Sequence, residues 1–304
     1  MTRPALAATR AVQVLNFLTA RPTESFTLSE IARGIACNPA STLAVLQSLV
    51  DGDYLHRHPS HKTYSLGPAV VAVGDAALAR HRVIDVARAE MPSLADECSC
   101  ECVASVVVAD QIVVVALAGR PRARGADVRV GQRVPMIPPL GPVFIAWSPD
   151  DVVTRWLDAL GPDDGDDERA HYRAALASVA ERGFSVGLES GARARVGAVL
   201  AERAGLAGGG NPDPQVASLI AALRHDYEVL ALDVTGAHRI SNIAAPVFGP
   251  DGEVVLALTL HGFGAVLDER SIRRCADRLV STTALVTRRT GGRPPRGHRV
   301  PAAG

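Results

Sequence analysis

The run CSCEC places three cysteines, Cys98, Cys100 and Cys102, at alternate positions, and its chemistry is the first to ask for an explanation. A thiolate is a good zinc ligand and a good redox nucleophile. Structural zinc sites, however, use cysteine pairs separated by about two to four residues. No second pair of that kind is available here, because Cys37 and Cys275 stand alone in the sequence. Packing, redox sensing and metal binding stay open as roles for the run, with packing the expectation.

Other chemical lures are weaker. The acidic run GPDDGDDE (161–168) lacks the twelve-residue ligand spacing and terminal bidentate glutamate of a calcium loop, so it reads as a solvated loop. The run GLAGGGN (205–211) is not preceded by a strand of a βαβ unit, which argues against a phosphate-binding loop. No H-E-x-x-H helix occurs. The expectation is a protein that is not an enzyme and needs no metal or cofactor.

The elements that must position any site come next. With 304 residues the chain is too long for one average domain, and two is the natural expectation. Apolar residues make up 47% and aromatics only 4%, so the cores must be built from Ala, Val and Leu. Net charge is zero and Lys62 is the sole lysine, so any basic footprint must be local. No apolar run reaches the roughly 18–20 residues of a membrane span. The start MTRPALAATRAVQV lacks an apolar core followed by a cleavage site, and five cysteines do not suggest a disulfide framework. A reduced, cytoplasmic protein is expected.

Leu6, Val12, Leu15 and Leu18 form a helical stripe that breaks at Arg21-Pro22. Thr27-Leu28-Ser29-Glu30 fits a capping box opening a short helix over 28–35. After a turn, Asn38 can cap and Pro39 can start a third helix, whose buried stripe reads as Leu43, Leu46, Leu49 and Val50. Two short strands, 54–57 and 62–66, flank the turn-rich His58-Pro59-Ser60-His61. Three helices followed by a hairpin describe a winged helix-turn-helix over 1–67, and a linker helix follows over 68–82. From 83 to 288 the pattern turns α+β. It has a helix over 83–97, strands at 103–108 and 112–117, and a Pro/Gly-rich crossing at 135–142. Helices near 150–160 and 168–182 follow, then a hairpin at Gly249-Pro250-Asp251-Gly252 and a last helix over 268–288. The tail 289–304 reads as disordered.

This order of motifs resembles the IclR-type transcriptional regulators. The residues that carry the resemblance are TRAVQVLNFL, TLSEIARGIACNPASTLAVLQSLVDGDYL and YSLGP in the first part. In the second they are RVPMIPPLGPVFIAW, ERGFSV and ISNIAAPVFGPDGEVVLALTLHG. The resemblance implies a GAF-like effector-binding domain behind the winged helix, placing CSCEC at a helix-to-strand junction where alternate cysteines would face the core. The stretch 190–240 is longer than the family's usual connection, and a helix near 214–225 is expected within it.

The resemblance also names candidate site residues. The third helix carries no charge where members of the family often have Lys, His or Arg, leaving Ser41, Thr42 and Gln47 as expected groove residues, with Arg10, Arg57 and Lys62 on the DNA backbone. Seven basic against five acidic side chains in residues 1–81 leave only a slight positive balance. The effector pocket would draw on Met136, Pro139, Leu140 and Gly141 from the crossing, and on Asn242, Thr259 and His261 from the late strands. Two residues apart, Thr259 and His261 share a strand face. The implied function is a ligand-responsive repressor controlling a metabolic operon. Its partners would be a palindromic duplex, a small organic effector with acids among the expected classes, and further copies of the chain in a dimer or tetramer. The alternative is a winged-helix scaffold that has lost DNA recognition and acts through protein or ligand contacts.

Overall fold

The computed structural model describes residues 5–120, 128–160, 166–188, 239–264 and 266–295. Nearly all of the 190–240 stretch with its expected helix, the GLAGGGN run, the start of the acidic run and most of the tail fall outside them. The described residues form two compact units, one reaching to His81 and joined by Val128–Arg133, the other holding the rest.

The first unit contains α1 (Leu6–Thr19), β1 (Phe26–Thr27), α2 (Leu28–Gly34), α3 (Pro39–Asp51), β2 (Leu55–Arg57), β3 (Thr63–Leu66) and α4 (Pro68–Arg80). Its helix starts are set by local side chains. The Thr27 amide donates to Glu30 Oε2 at 2.7 Å and the Glu30 amide returns to Thr27 Oγ1 at 3.4 Å, the reciprocal pair of a capping box. The Thr27 amide foremost, and then the Thr27 hydroxyl donating to Oε2 at 2.8 Å, hold the Glu30 carboxyl below its ordinary range. At α3 the Ser41 amide donates to Asn38 Oδ1 at 2.8 Å, and Pro39 occupies the first turn. Val14, Leu18, Ile31, Leu46, Leu55 and Tyr64 make the core.

Phe26–Thr27 forms a strand that periodicity does not reveal, since two residues are too few to show alternation. It pairs with β3, Phe26 opposite Tyr64, in a three-stranded sheet of order β1-β3-β2. The Phe26 ring meets Phe17 edge-on at 4.9 Å. Gly34 lets α2 approach that ring: a Cβ there would lie 2.2 Å from Phe17.

The wing is stitched to the start of α4. The Gly67 amide donates to the Tyr54 carbonyl at 2.8 Å and the Ala69 amide to the Asp53 carbonyl at 3.1 Å. A Cβ on Gly67 would stand 2.3 Å from that Asp53 oxygen, so the approach requires glycine. Helix α4, PAVVAVGDAALAR, is mostly apolar, yet none of its residues is buried.

The second unit begins with α5 (Arg82–Cys98), β4 (Glu101–Val108), β5 (Gln111–Gly119), β6 (Arg133–Pro135) and α6 (Pro142–Ile145). It continues through α7 (Asp150–Leu157), α8 (Asp166–Arg182), β7 (Ser185–Leu188), β8 (Ile240–Phe248), β9 (Val254–His261) and a final helix, α9 (Glu269–Arg289). The described strands form one sheet of order β6-β5-β4-β9-β8-β7, antiparallel from β5 through β7. One face is covered by α5 and α9, whose Met91, Leu94, Leu279 and Val286 pack with Leu256, Leu258 and Leu260. Arg278 of α9 grips Glu97 of α5, Nη2 donating to Oε1 at 3.0 Å and Nε to Oε2. Those bonds pull the Glu97 carboxyl from 4.5 to about 2. On the opposite face Val143 and Phe144 of α6 meet Ala244 and Ala257. Among the described residues no helix is long and apolar enough to cross a membrane.

Candidate functional site: a helix face and a sheet face

Helix α3 and the wing hold the residues expected to meet DNA. Thr42 is overturned as a groove residue: it is 0% exposed and its Oγ1 donates to the Asn38 carbonyl at 3.0 Å. The helix is rotated relative to the expected stripe. Val45 is buried at 8% exposure, whereas Leu43, expected in the core, is 46% exposed. The buried side is Thr42, Val45 and Leu46; the outward side is Ala40, Leu43, Ala44 and Gln47, a stripe with helical spacing. Amphipathic counting misplaced the two because Thr42 behaves as an apolar residue once its hydroxyl bonds back to the preceding turn.

The remaining polar groups on α3 are partly engaged within their own helix. Gln47 Nε2 donates to Asp51 Oδ1 at 2.8 Å and Ser48 Oγ to the Ala44 carbonyl at 3.2 Å. Ser41 is half-buried at the first turn. On the wing, Arg57 and Lys62 are exposed. Arg57 lies opposite Tyr64 in the hairpin, its guanidinium 5.9 Å from that ring. The turn holding Lys62 is built by His58, whose Nδ1 accepts from the Ser60 and His61 amides at 3.3 and 3.2 Å. Arg10 sits half-buried on α1.

The second candidate is the sheet face away from α5 and α9. Direct register partners in an antiparallel sheet point to the same side. Glu101 faces His261, which faces Asn242, which faces Gly187, one row across four strands. The next row is Val103, Thr259, Ala244 and Ser185. Asn242, Thr259 and His261 are thus brought together on one face. The crossing lies over the same side, with Met136 packed against Val143, Phe144, Ala244 and Ala257. Gly141 holds a left-handed φ of +76°, and a Cβ there would meet Met136 Sδ at 2.4 Å. Leu140 gives its carbonyl to Trp156 Nε1 at 3.2 Å, and Pro139 is buried.

Glu101 is the residue of this face that sequence reasoning missed. Its carboxylate Oε2 lies 2.7 Å from His261 Nε2, with side-chain exposures of 11% and 15%. The contact is close but not aligned as a hydrogen bond, which leaves Nε2 with no directed partner among the described residues. The signal was in CSCEC itself. In a strand that includes Glu101 and Cys102 the two neighbours have opposite parity, so thiol and carboxylate part to opposite faces.

The cysteines take the helix-covered side, where Cys98, Cys100, Cys102 and Cys275 are all buried in the apolar core. A hydrogen bond with Cys275, followed by burial, pushes the Cys98 thiol up, and burial does the same to Cys102. Neither is a thiolate at neutral pH, and no metal-holding group of His, Cys, Asp or Glu occurs among the described residues.

The first unit is a winged helix-turn-helix, and it is followed by an α+β domain whose sheet has one polar, half-buried face. Residues 7–59 match the model of the IclR helix-turn-helix domain. The chain therefore carries an IclR helix-turn-helix domain, and over nearly its whole length it has the fold of IclR regulators. An IclR transcriptional regulator from Alicyclobacillus acidocaldarius is 22% identical with a TM-score of 0.62, covering 95% of this chain and 100% of that one. HmgR from Pseudomonas aeruginosa is also 22% identical, with a TM-score of 0.60 over 94% and 100%. An IclR homologue from Microbacterium hydrocarbonoxydans, in complex with 4-hydroxybenzoate, is 17% identical with a TM-score of 0.57 over 93% and 98%. No curated protein sequence matches the chain.

Proposed function

We propose that the protein is a cytoplasmic, ligand-responsive transcriptional regulator that represses a metabolic operon by binding duplex DNA through its winged helix. The observation that carries this is the capped α2–turn–α3 unit with a basic wing, within the stretch matched to the IclR helix-turn-helix domain. Ser41 and Gln47 meet the groove, while Arg57, Lys62 and Arg10 hold phosphates. With so few cations per copy, affinity is shared between two or four copies on a palindromic site. Helix α4 supports self-association, because its apolar side chains are not buried among the described residues.

The effector sits on the sheet face, between Asn242, Thr259 and His261 below and Met136, Pro139, Leu140 and Gly141 above. The undirected His261 nitrogen beside Glu101 supports this placement, as does 4-hydroxybenzoate in the Microbacterium hydrocarbonoxydans homologue. Effector binding alters operator affinity by favouring one arrangement of the paired winged helices.

Gel shift of the full chain against its own upstream region, at about 50 and 200 mM salt, tests the reading, since phosphate contacts release counterions. Arg57→Ala combined with Lys62→Ala should flatten the slope of log affinity against log salt by about two per protomer. Salt-independent binding, or none, would reject DNA recognition.

A further inference from the structure

We infer that Leu43 is a specificity residue that reads the 5-methyl group of thymine in the major groove. This rests on the regulator reading above and adds the base class that α3 selects. Three observations lead there. Leu43 is 46% exposed in the middle of α3, between Ala40 and Gln47 on the outward stripe. That stripe carries no charge, and its one long polar side chain, Gln47, is bonded to Asp51. The buried side of the helix is closed by Thr42, Val45 and Leu46, so Leu43 has no room to turn inward.

An outward leucine flanked by Ala40 and Ala44 cannot satisfy a guanine O6 or a cytosine amine, and placed against either it would strip water without returning a hydrogen bond. Thymine alone among the four bases presents an apolar group on the major-groove edge. Methyl against isobutyl buries apolar surface on both sides and leaves no polar atom unpaired. Specificity at this position therefore comes from shape and desolvation, with A·T pairs favoured over G·C pairs opposite Leu43.

The test uses the full chain and duplexes selected by it from a random library. Each thymine in the selected site is then replaced singly by deoxyuridine, which keeps base pairing and removes only the methyl. At least one replacement per half-site should weaken binding about four-fold, the worth of one buried methyl-sized group. In Leu43→Ala that thymine and uracil duplex should bind alike. Leu43 is exposed, so the variant keeps its fold, which circular dichroism checks. Equal binding of thymine and uracil duplexes by the unaltered protein would overturn the inference while leaving DNA recognition in place. Loss of self-association in Leu43→Ala, with the thymine preference intact, would assign the residue to a second copy and overturn it too. Failure to select any duplex would remove both this inference and the regulator reading.

Discussion

Helix α3 and the β4–β9 strand pair are built in opposite senses. On α3 the hydroxyl of Thr42 is inside and the isobutyl group of Leu43 is outside. On the strands the carboxylate of Glu101 and the imidazole of His261 are sheltered, while an apolar crossing centred on Met136 covers the same face. The helix offers a surface that is cheap to dehydrate, suited to a large partner that brings its own charge. The strands offer polar groups already withdrawn from water, where each added hydrogen bond counts for more. On the proposed reading, the first faces a duplex and the second a small molecule.

Four substitutions break or sharpen that contrast, and both tryptophans, Trp147 and Trp156, lie in the second unit and report on it separately. Thr42→Arg should be the most damaging. It forces a charge into a fully buried site and should cost about 4 kcal/mol or more, unfolding the first unit by circular dichroism. A folded Thr42→Arg protein with stronger DNA binding would instead restore Thr42 to the groove. Gly141→Ala comes next. A left-handed non-glycine residue pressing on Met136 should lower the tryptophan-reported stability by about 2 kcal/mol in urea unfolding. An unchanged midpoint would mean the crossing yields easily and does not shape the sheet face beneath it.

Thr27→Ala removes the capping-box acceptor and should cost the first unit about 1 kcal/mol, leaving the tryptophan transition in place. The smallest change is Glu97→Gln. The Arg278 bonds depress the Glu97 carboxyl from 4.5 to about 2, so its stabilisation is present above 4.5 and disappears as pH falls through about 2. The side chain is 48% exposed, so solvent screens the pair. Urea unfolding of the two proteins should differ slightly at pH 7 and converge near pH 2. A gap that widens in acid would contradict the assignment.

Legibility from sequence divides along the same line. The first unit was readable because its signals are local: the Thr27 capping box, Asn38 and Pro39 at the start of α3, and the turn His58-Pro59-Ser60-His61 each act within a few residues. What failed there was rotation about the helix axis, where a threonine satisfied by its own turn passes for polar. The GPDG hairpin and the long helices of the second unit were readable for the same reason. The site face was not, because its key juxtaposition joins residues 101 and 261 through strand register, which no local pattern encodes. Of the three conspicuous cysteines only Cys102 lies in that strand, where parity sends it to the face opposite Glu101.

The amides of Gly67 and Ala69 have a mechanical consequence. They fasten the first turn of α4 to the carbonyls of Tyr54 and Asp53, just past the end of α3. These two bonds, one of them at a glycine whose Cβ would clash with the Asp53 carbonyl, tie the start of α4 to the chain leaving α3. Helix α4 is thus a lever with α3 fixed at its short end. On the proposed reading, a small twist of α4 would reach α3 through these bonds, with Gly67 as the rivet.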